Sequence, residues 1–225
     1  MWGERALLLI PGTGHNQSTA IYDNESDNYH YGARKIADAY GDSYFVFVKP
    51  NEDFLAWHDG TRKLGVNAYV NWHINNGGSY SYSYLVQSLA FMKFMRSCYS
   101  ETAVAGLSQG GTAALLNSFQ SGPDHAFIFS GDTVVRAIGN SGFNQFILND
   151  VNRFLTPKAV KDYIVNGDTE YLFSWGRAEK GLYGIEVEGN NTCSYFSTLT
   201  NVSCISHAGG HVFSVEVAEQ FLSNK

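Results

Sequence analysis

The strand-like runs of this chain are apolar on nearly every residue instead of every second one, Arg5–Ile10 and Tyr44–Val48 being the clearest. A sheet with one wet face needs alternation. Continuous runs fit a parallel sheet covered by helices on both sides. Helix-period segments fall between the runs. A helix is expected near Tyr31–Tyr40, ended by Gly41, and another over Tyr82–Cys98, where Leu85, Val86, Leu89, Met92 and Met95 recur at helical spacing. Further strands are expected at His125–Phe129, Val160–Val165 and Val202–Ile205, with a closing helix over His211–Leu222. This succession predicts a doubly wound, mostly parallel α/β sheet in a single domain spanning residues 1–225.

Composition narrows the partners. At 225 residues, 44% hydrophobic and 16% charged, the chain is long and apolar enough for a sizeable core. Its net charge of −6 argues against nucleic acid and anionic membranes as partners. No apolar run is long enough to span a bilayer, and Met1-Trp2-Gly3-Glu4-Arg5 lacks the pattern of a signal peptide. Cys193 and Cys204 bracket a short segment that either closes as a disulfide loop or leaves two free thiols. Asn-x-Ser/Thr triplets at Asn16, Asn24, Asn190 and Asn201 are compatible with a secreted, glycosylated protein but also arise by chance.

One segment carries chemistry. Gly106-Leu107-Ser108-Gln109-Gly110 follows the run Thr102–Ala105 and opens the small-residue helical run Thr112–Leu116. A serine between a strand and a helix, with glycine at ±2, occupies a sharp turn that lifts its hydroxyl above the sheet edge. Glycine at 106 and 110 lets strand and helix cross closely. The helix N-terminus then points N–H groups at any oxyanion formed there. Ligands in such sheets bind beyond the C-terminal strand ends, and Ser108, Asp132, Glu170, His207 and His211 are all expected there.

The motif and the order of elements resemble the α/β-hydrolase superfamily over nearly the whole chain, starting from that fold's third strand; no specific family is identified. The resemblance implies a compact form with a long loop after the second strand and a short lid. It implies the order nucleophile, acid, histidine, which Ser108, a carboxylate at 168–170 and His211 preserve. His211 fits the loop before the last helix, whereas His207 lies at a strand end. Glu170 fills the family's strand-Gly-x-x-Asp slot within Gly167-Asp168-Thr169-Glu170, with Asp168 and then Asp132 as alternatives. Oxyanion donors are expected at the N–H of Gln109 and of Thr13, the latter in Pro11-Gly12-Thr13-Gly14-His15, which resembles a His-Gly-x-Gly loop. The implied activity is cleavage of small-molecule carboxylic esters through an acyl-enzyme, with no cofactor. The same machinery serves thioesters, lactones or amides, and a non-catalytic binding module on the same scaffold is the alternative of another class.

Two competing motifs are weaker. Gly12-x-Gly14 lacks the third glycine of a dinucleotide fingerprint, where Gln17 stands. Cys204, His207 and His211 lack the close cysteine pair of structural zinc, and Gly209-Gly210 opposes a helix that would put both histidines on one face. Residues 51–78 form a long aromatic loop, including Trp57-His58 and Trp72-His73. Loops of that length are usually functional; here the Trp-His pairs read as an aromatic rim that stacks on substrate or, the more ordinary reading, as loop packing onto the core.

Overall fold

The computed structural model describes residues 3–10, 12, 28–46, 86–131, 133, 156–179 and 185–224. Its elements run β1 (Gly3–Ile10), α1 (Asn28–Tyr40), β2 (Ser43–Val46), α2 (Gln87–Cys98), β3 (Tyr99–Leu107) and α3 (Gln109–Ser121). They continue as β4 (His125–Phe129), α4 (Pro157–Asn166), β5 (Glu170–Gly176), a 3-10 turn (Arg177–Glu179), α5 (Ile185–Phe196), β6 (Val202–His207) and α6 (Val215–Ser223). The strands form a six-stranded sheet in the order β2-β1-β3-β4-β5-β6. Every adjacent pair is parallel.

The continuous apolar runs have the expected cause. Leu8, Ile10, Val104, Ile128 and Phe173 face one core with Met92, Met95, Leu115, Ile164 and Phe196 from α2 to α5. Leu7, Leu9, Ala105, Phe127, Phe129 and Leu172 face the other, with Ile36 and Tyr40 of α1 and Val217 and Phe221 of α6. Leu7, Leu8 and Leu9 are all essentially buried, and each contributes roughly 1.5–3 kcal/mol of hydrophobic stabilisation. Register is thereby fixed, because slipping a strand by one residue exchanges the two cores.

One expected strand is a helix. Val160–Val165 lies in α4, not in the sheet. Thr156 caps that helix by accepting a hydrogen bond from the Ala159 N–H at 3.2 Å, and Pro157 occupies its first turn. A capping threonine followed by proline is a helix start. Val160 and Ile164 form the buried face at i and i+4, while Lys158 pairs with Asp162 on the wet side at 2.5 Å. The strand that fills this place in the sheet is Glu170–Gly176, further along the chain. Its shift moves everything expected at the strand's C-terminal end.

Cys193 and Cys204 are joined as a disulfide, tying α5 to β6. The segment between them is the end of α5, a turn and the first residues of β6. The Asn201 side-chain amide donates to the carbonyls of Ile164 and Thr169, at 3.0 Å each. Both its hydrogens are thus engaged in joining α4 to the start of β5, which gives this asparagine a structural use. Among the described residues no helix is long and apolar enough to cross a membrane.

Candidate active site

Parallel strands end on one edge, and four neighbouring strands each deliver one polar residue just beyond that edge. Ser108 follows β3, Ser130 follows β4, Glu179 closes the turn after β5, and His211 lies in the loop after β6.

Ser108 is the residue between β3 and α3, with φ 59° and ψ −122°. For a residue with a Cβ this backbone costs roughly 1–3 kcal/mol and persists only where the surroundings enforce it. They do so from both sides. The Ser108 N–H donates to the Phe129 carbonyl at 2.9 Å, and the Ser108 carbonyl accepts from the Thr112 N–H at 3.0 Å. A Cβ on Gly106 would lie 2.0 Å from the Gly110 carbonyl oxygen, so glycine is obligatory where helix crosses strand. The Gln109 N–H opens α3, where a helix has no internal acceptor for it. Thr13, expected as the second oxyanion donor, lies outside the described residues, as does Asp132.

His211 points Nδ1 at Glu179 Oε2, 3.0 Å away. Glu179 is 2% exposed. Its other oxygen, Oε1, accepts from the Ser130 hydroxyl at 2.5 Å and from the Gly176 N–H at 2.9 Å. Burial by itself drives the Glu179 carboxyl upward, but the hydrogen bonds from His211, Ser130 and Gly176 outweigh it and leave the group below the ordinary glutamate value. A carboxylate at Nδ1 favours the proton on that nitrogen.

The approach of the two loops depends on Gly176, where a Cβ would lie 2.3 Å from the carbonyl oxygens of both Gly209 and Gly210. The Ala178 N–H donates to the Gly209 carbonyl at 3.1 Å, tying the acidic turn to the histidine loop.

Glu170 and Asp168 do not join this group. Glu170 is the first residue of β5 and Asp168 precedes it, which puts both at the N-terminal edge of the sheet, about 20 Å along the strand from Gly176. There Glu170 Oε2 lies 3.4 Å from His125 Nδ1, and Glu101 Oε1 lies 3.1 Å from His125 Nε2. Asp168 is exposed. The misplacement follows from reading α4 as the strand. Glu179, which meets the histidine, had its own sequence signal: Gly176-Arg177-Ala178-Glu179 has the Gly-x-x-acid spacing after an apolar run.

His207 ends β6 and is 6% exposed. Among the described residues its Nε2 has no hydrogen-bond partner, and desolvation by burial lowers its pKa against the partial pull of Glu179. Its burial is that of a packed side chain. Among the described residues no group of histidine, cysteine and carboxylate side chains is arranged to hold a metal ion.

Neither a protein-family profile nor a curated protein sequence matches the chain. Solved structures do match its fold. Est1E from Butyrivibrio proteoclasticus covers 100% of the chain with 89% of its own length, at 11% identity and a TM-score of 0.55. A structure described for LipS and LipT, two metagenome-derived lipolytic enzymes, covers 99% with 93% of its length, at 11% identity and a TM-score of 0.57. The S-formylglutathione hydrolase FrmB from Staphylococcus aureus covers 98% with 80%, at 14% identity and a TM-score of 0.52. A parallel sheet of this order, carrying a strained serine at the turn from β3 to α3, belongs to the α/β-hydrolase fold.

Proposed function

We propose that this chain is a serine hydrolase that cleaves carboxylic esters through an acyl-enzyme, with Ser108 as nucleophile, His211 as base and Glu179 as the acid. The observation that carries the reading is the buried Glu179 carboxylate bonded to His211 Nδ1, on the same sheet edge as a serine held in a strained strand-to-helix turn. Lipolytic enzymes and an S-formylglutathione hydrolase among the similar structures support the same class of chemistry.

In this mechanism Ser108 Oγ attacks the ester carbonyl carbon while His211 Nε2 takes the hydroxyl proton. The Gln109 N–H, with Thr13 as its expected companion, stabilises the oxyanion of the tetrahedral intermediate. Glu179 stabilises the imidazolium. Collapse expels the alcohol, which receives the proton from His211 and leaves an ester on Ser108. Water then attacks that ester with His211 again as base, releasing the acid and restoring the serine.

The test is turnover of p-nitrophenyl esters of increasing acyl length by wild type and Ser108→Ala. Hydrolysis by the wild type and its loss in the variant support the reading. Equal turnover by both proteins overturns it.

A further inference from the structure

Among the described residues two non-glycine positions have positive φ, Ser108 at 59° and Ser130 at 47°. They sit just past neighbouring parallel strands, β3 and β4. The strain at Ser108 belongs to the strand-to-helix turn that places it at the sheet edge. The strain at Ser130 has a separate use.

Position 130 is a place for glycine, which adopts left-handed φ without steric cost. A serine there is 3% exposed, and its N–H is held by the Ser174 carbonyl at 2.8 Å. Its hydroxyl therefore has a fixed origin and one direction. It donates to Glu179 Oε1 at 2.5 Å, beside the Gly176 N–H on the same oxygen at 2.9 Å. With both donors gathered on Oε1, the carboxylate cannot rotate without breaking them, and Oε2 stays turned to His211 Nδ1.

We propose that Ser130 is a positioning residue for the acid, its hydroxyl aimed by a strained backbone to lock the Glu179 carboxylate against His211. The role rests on Glu179 being the acid of the proposed mechanism. The hydroxyl of Ser130 is engaged by Glu179, and its proposed role acts through that carboxylate. Without its hydroxyl the buried carboxylate loses a charge-assisted hydrogen bond. It then accepts a proton more readily and holds the imidazole less strictly.

Ser130→Gly is the informative variant, because glycine relieves the strained φ while removing the hydroxyl. Its melting temperature is expected to equal or exceed that of wild type. Its kcat on a p-nitrophenyl ester is expected to fall about 10- to 100-fold, the worth of one hydrogen bond to a charged group. KM should stay near the wild-type value, and the acid limb of the kcat/KM profile should move to higher pH. Ser130→Ala should show the same kinetic loss with a lower melting temperature, since it loses the hydrogen bond to Glu179 without the relief of φ that glycine gives. Glu179→Gln is measured alongside. Wild-type kcat and an unmoved acid limb in Ser130→Gly, with Glu179→Gln inactive, overturn the role of Ser130 and leave the acid intact. A kcat loss in Ser130→Gly with lowered melting temperature and an unmoved limb overturns it too, as a purely structural effect. Wild-type turnover in Glu179→Gln overturns the acid itself, and the role of Ser130 with it.

Discussion

His211 and Glu179 meet at 3.0 Å because two adjacent strands end side by side. The pairing of Gly176 with His207 across β5 and β6 brings the turn after one strand against the loop after the other, and the missing Cβ at Gly176 lets the two backbones touch.

That relationship separates Glu179, in the turn after β5, from Glu170, the first residue of that strand. Glu179→Gln keeps the shape of the side chain but removes the charge that stabilises the imidazolium and fixes its tautomer. Its kcat/KM should fall by about 10³- to 10⁴-fold, as losses of a triad acid do. Glu170→Gln alters a partly exposed contact with His125 at the opposite edge and should leave turnover close to wild type. Ester kinetics on the two purified variants measure this, and a reversed ranking contradicts the site.

The depressed Glu179 carboxyl gives a stability prediction with a definite sign. A group whose folded pKa lies below its unfolded value stabilises the fold above the unfolded pKa, and that contribution is lost as pH falls through the folded one. It is therefore complete at neutral pH and begins to fade below the ordinary glutamate value of about 4.3. Thermal melts between pH 7 and pH 3 should show a steeper decline for wild type than for Glu179→Gln.

The two histidines also part. His211→Ala removes the base and should abolish ester turnover while leaving the fold intact. His207 is buried, with desolvation favouring its neutral form, and His207→Ala should lower the melting temperature while the folded protein retains most of its turnover. Kinetics paired with melting curves distinguish the two outcomes.

Glycine at 106 is predicted to be indispensable for a steric reason. A Cβ there meets backbone atoms of Gly110 at 2.0 and 2.2 Å, whereas one on Gly210 meets nothing within 4 Å among the described residues. Gly106→Ala should fail to accumulate as soluble protein, and Gly210→Ala should express and melt like wild type.

Reducing the Cys193–Cys204 bridge should destabilise without touching the catalytic groups. The two cysteines are 11 residues apart, and closing a loop of that size stabilises by about 2–3 kcal/mol in the chain-entropy model. Denaturant melts of wild type and a Cys193→Ala/Cys204→Ala double variant give the value.

What the sequence made legible follows from how local each signal is. The glycine crossing at the Ser108 turn is local, Gly106 against Gly110, so Gly106, Ser108 and Gly110 signal it in one pentapeptide, although the Phe129 carbonyl that also holds it is distant in sequence. The two-sided sheet was readable from runs such as Ala6–Ile10. The acid was not. Val160–Val165 and Glu170–Gly176 are both short and apolar, and periodicity alone does not separate a buried strand from a helix of that length. Only the Thr156-Pro157 start marked the first of them as helix. Once the strand was set too early, Glu170 took the place of Glu179. Which glutamate meets the histidine is decided by the pairing of β5 with β6, a contact between segments distant in sequence. Ser130 was unreadable for a similar reason, since its partner lies on the next strand's turn.

The most direct measurement is covalent labelling with a fluorophosphonate, followed by mass spectrometry of the intact protein and of its peptides. One adduct per chain is expected, mapped to Ser108, absent in Ser108→Ala and strongly slowed in His211→Ala and Glu179→Gln. A folded wild-type protein that takes no label, or takes it at another serine, would contradict Ser108 as the nucleophile.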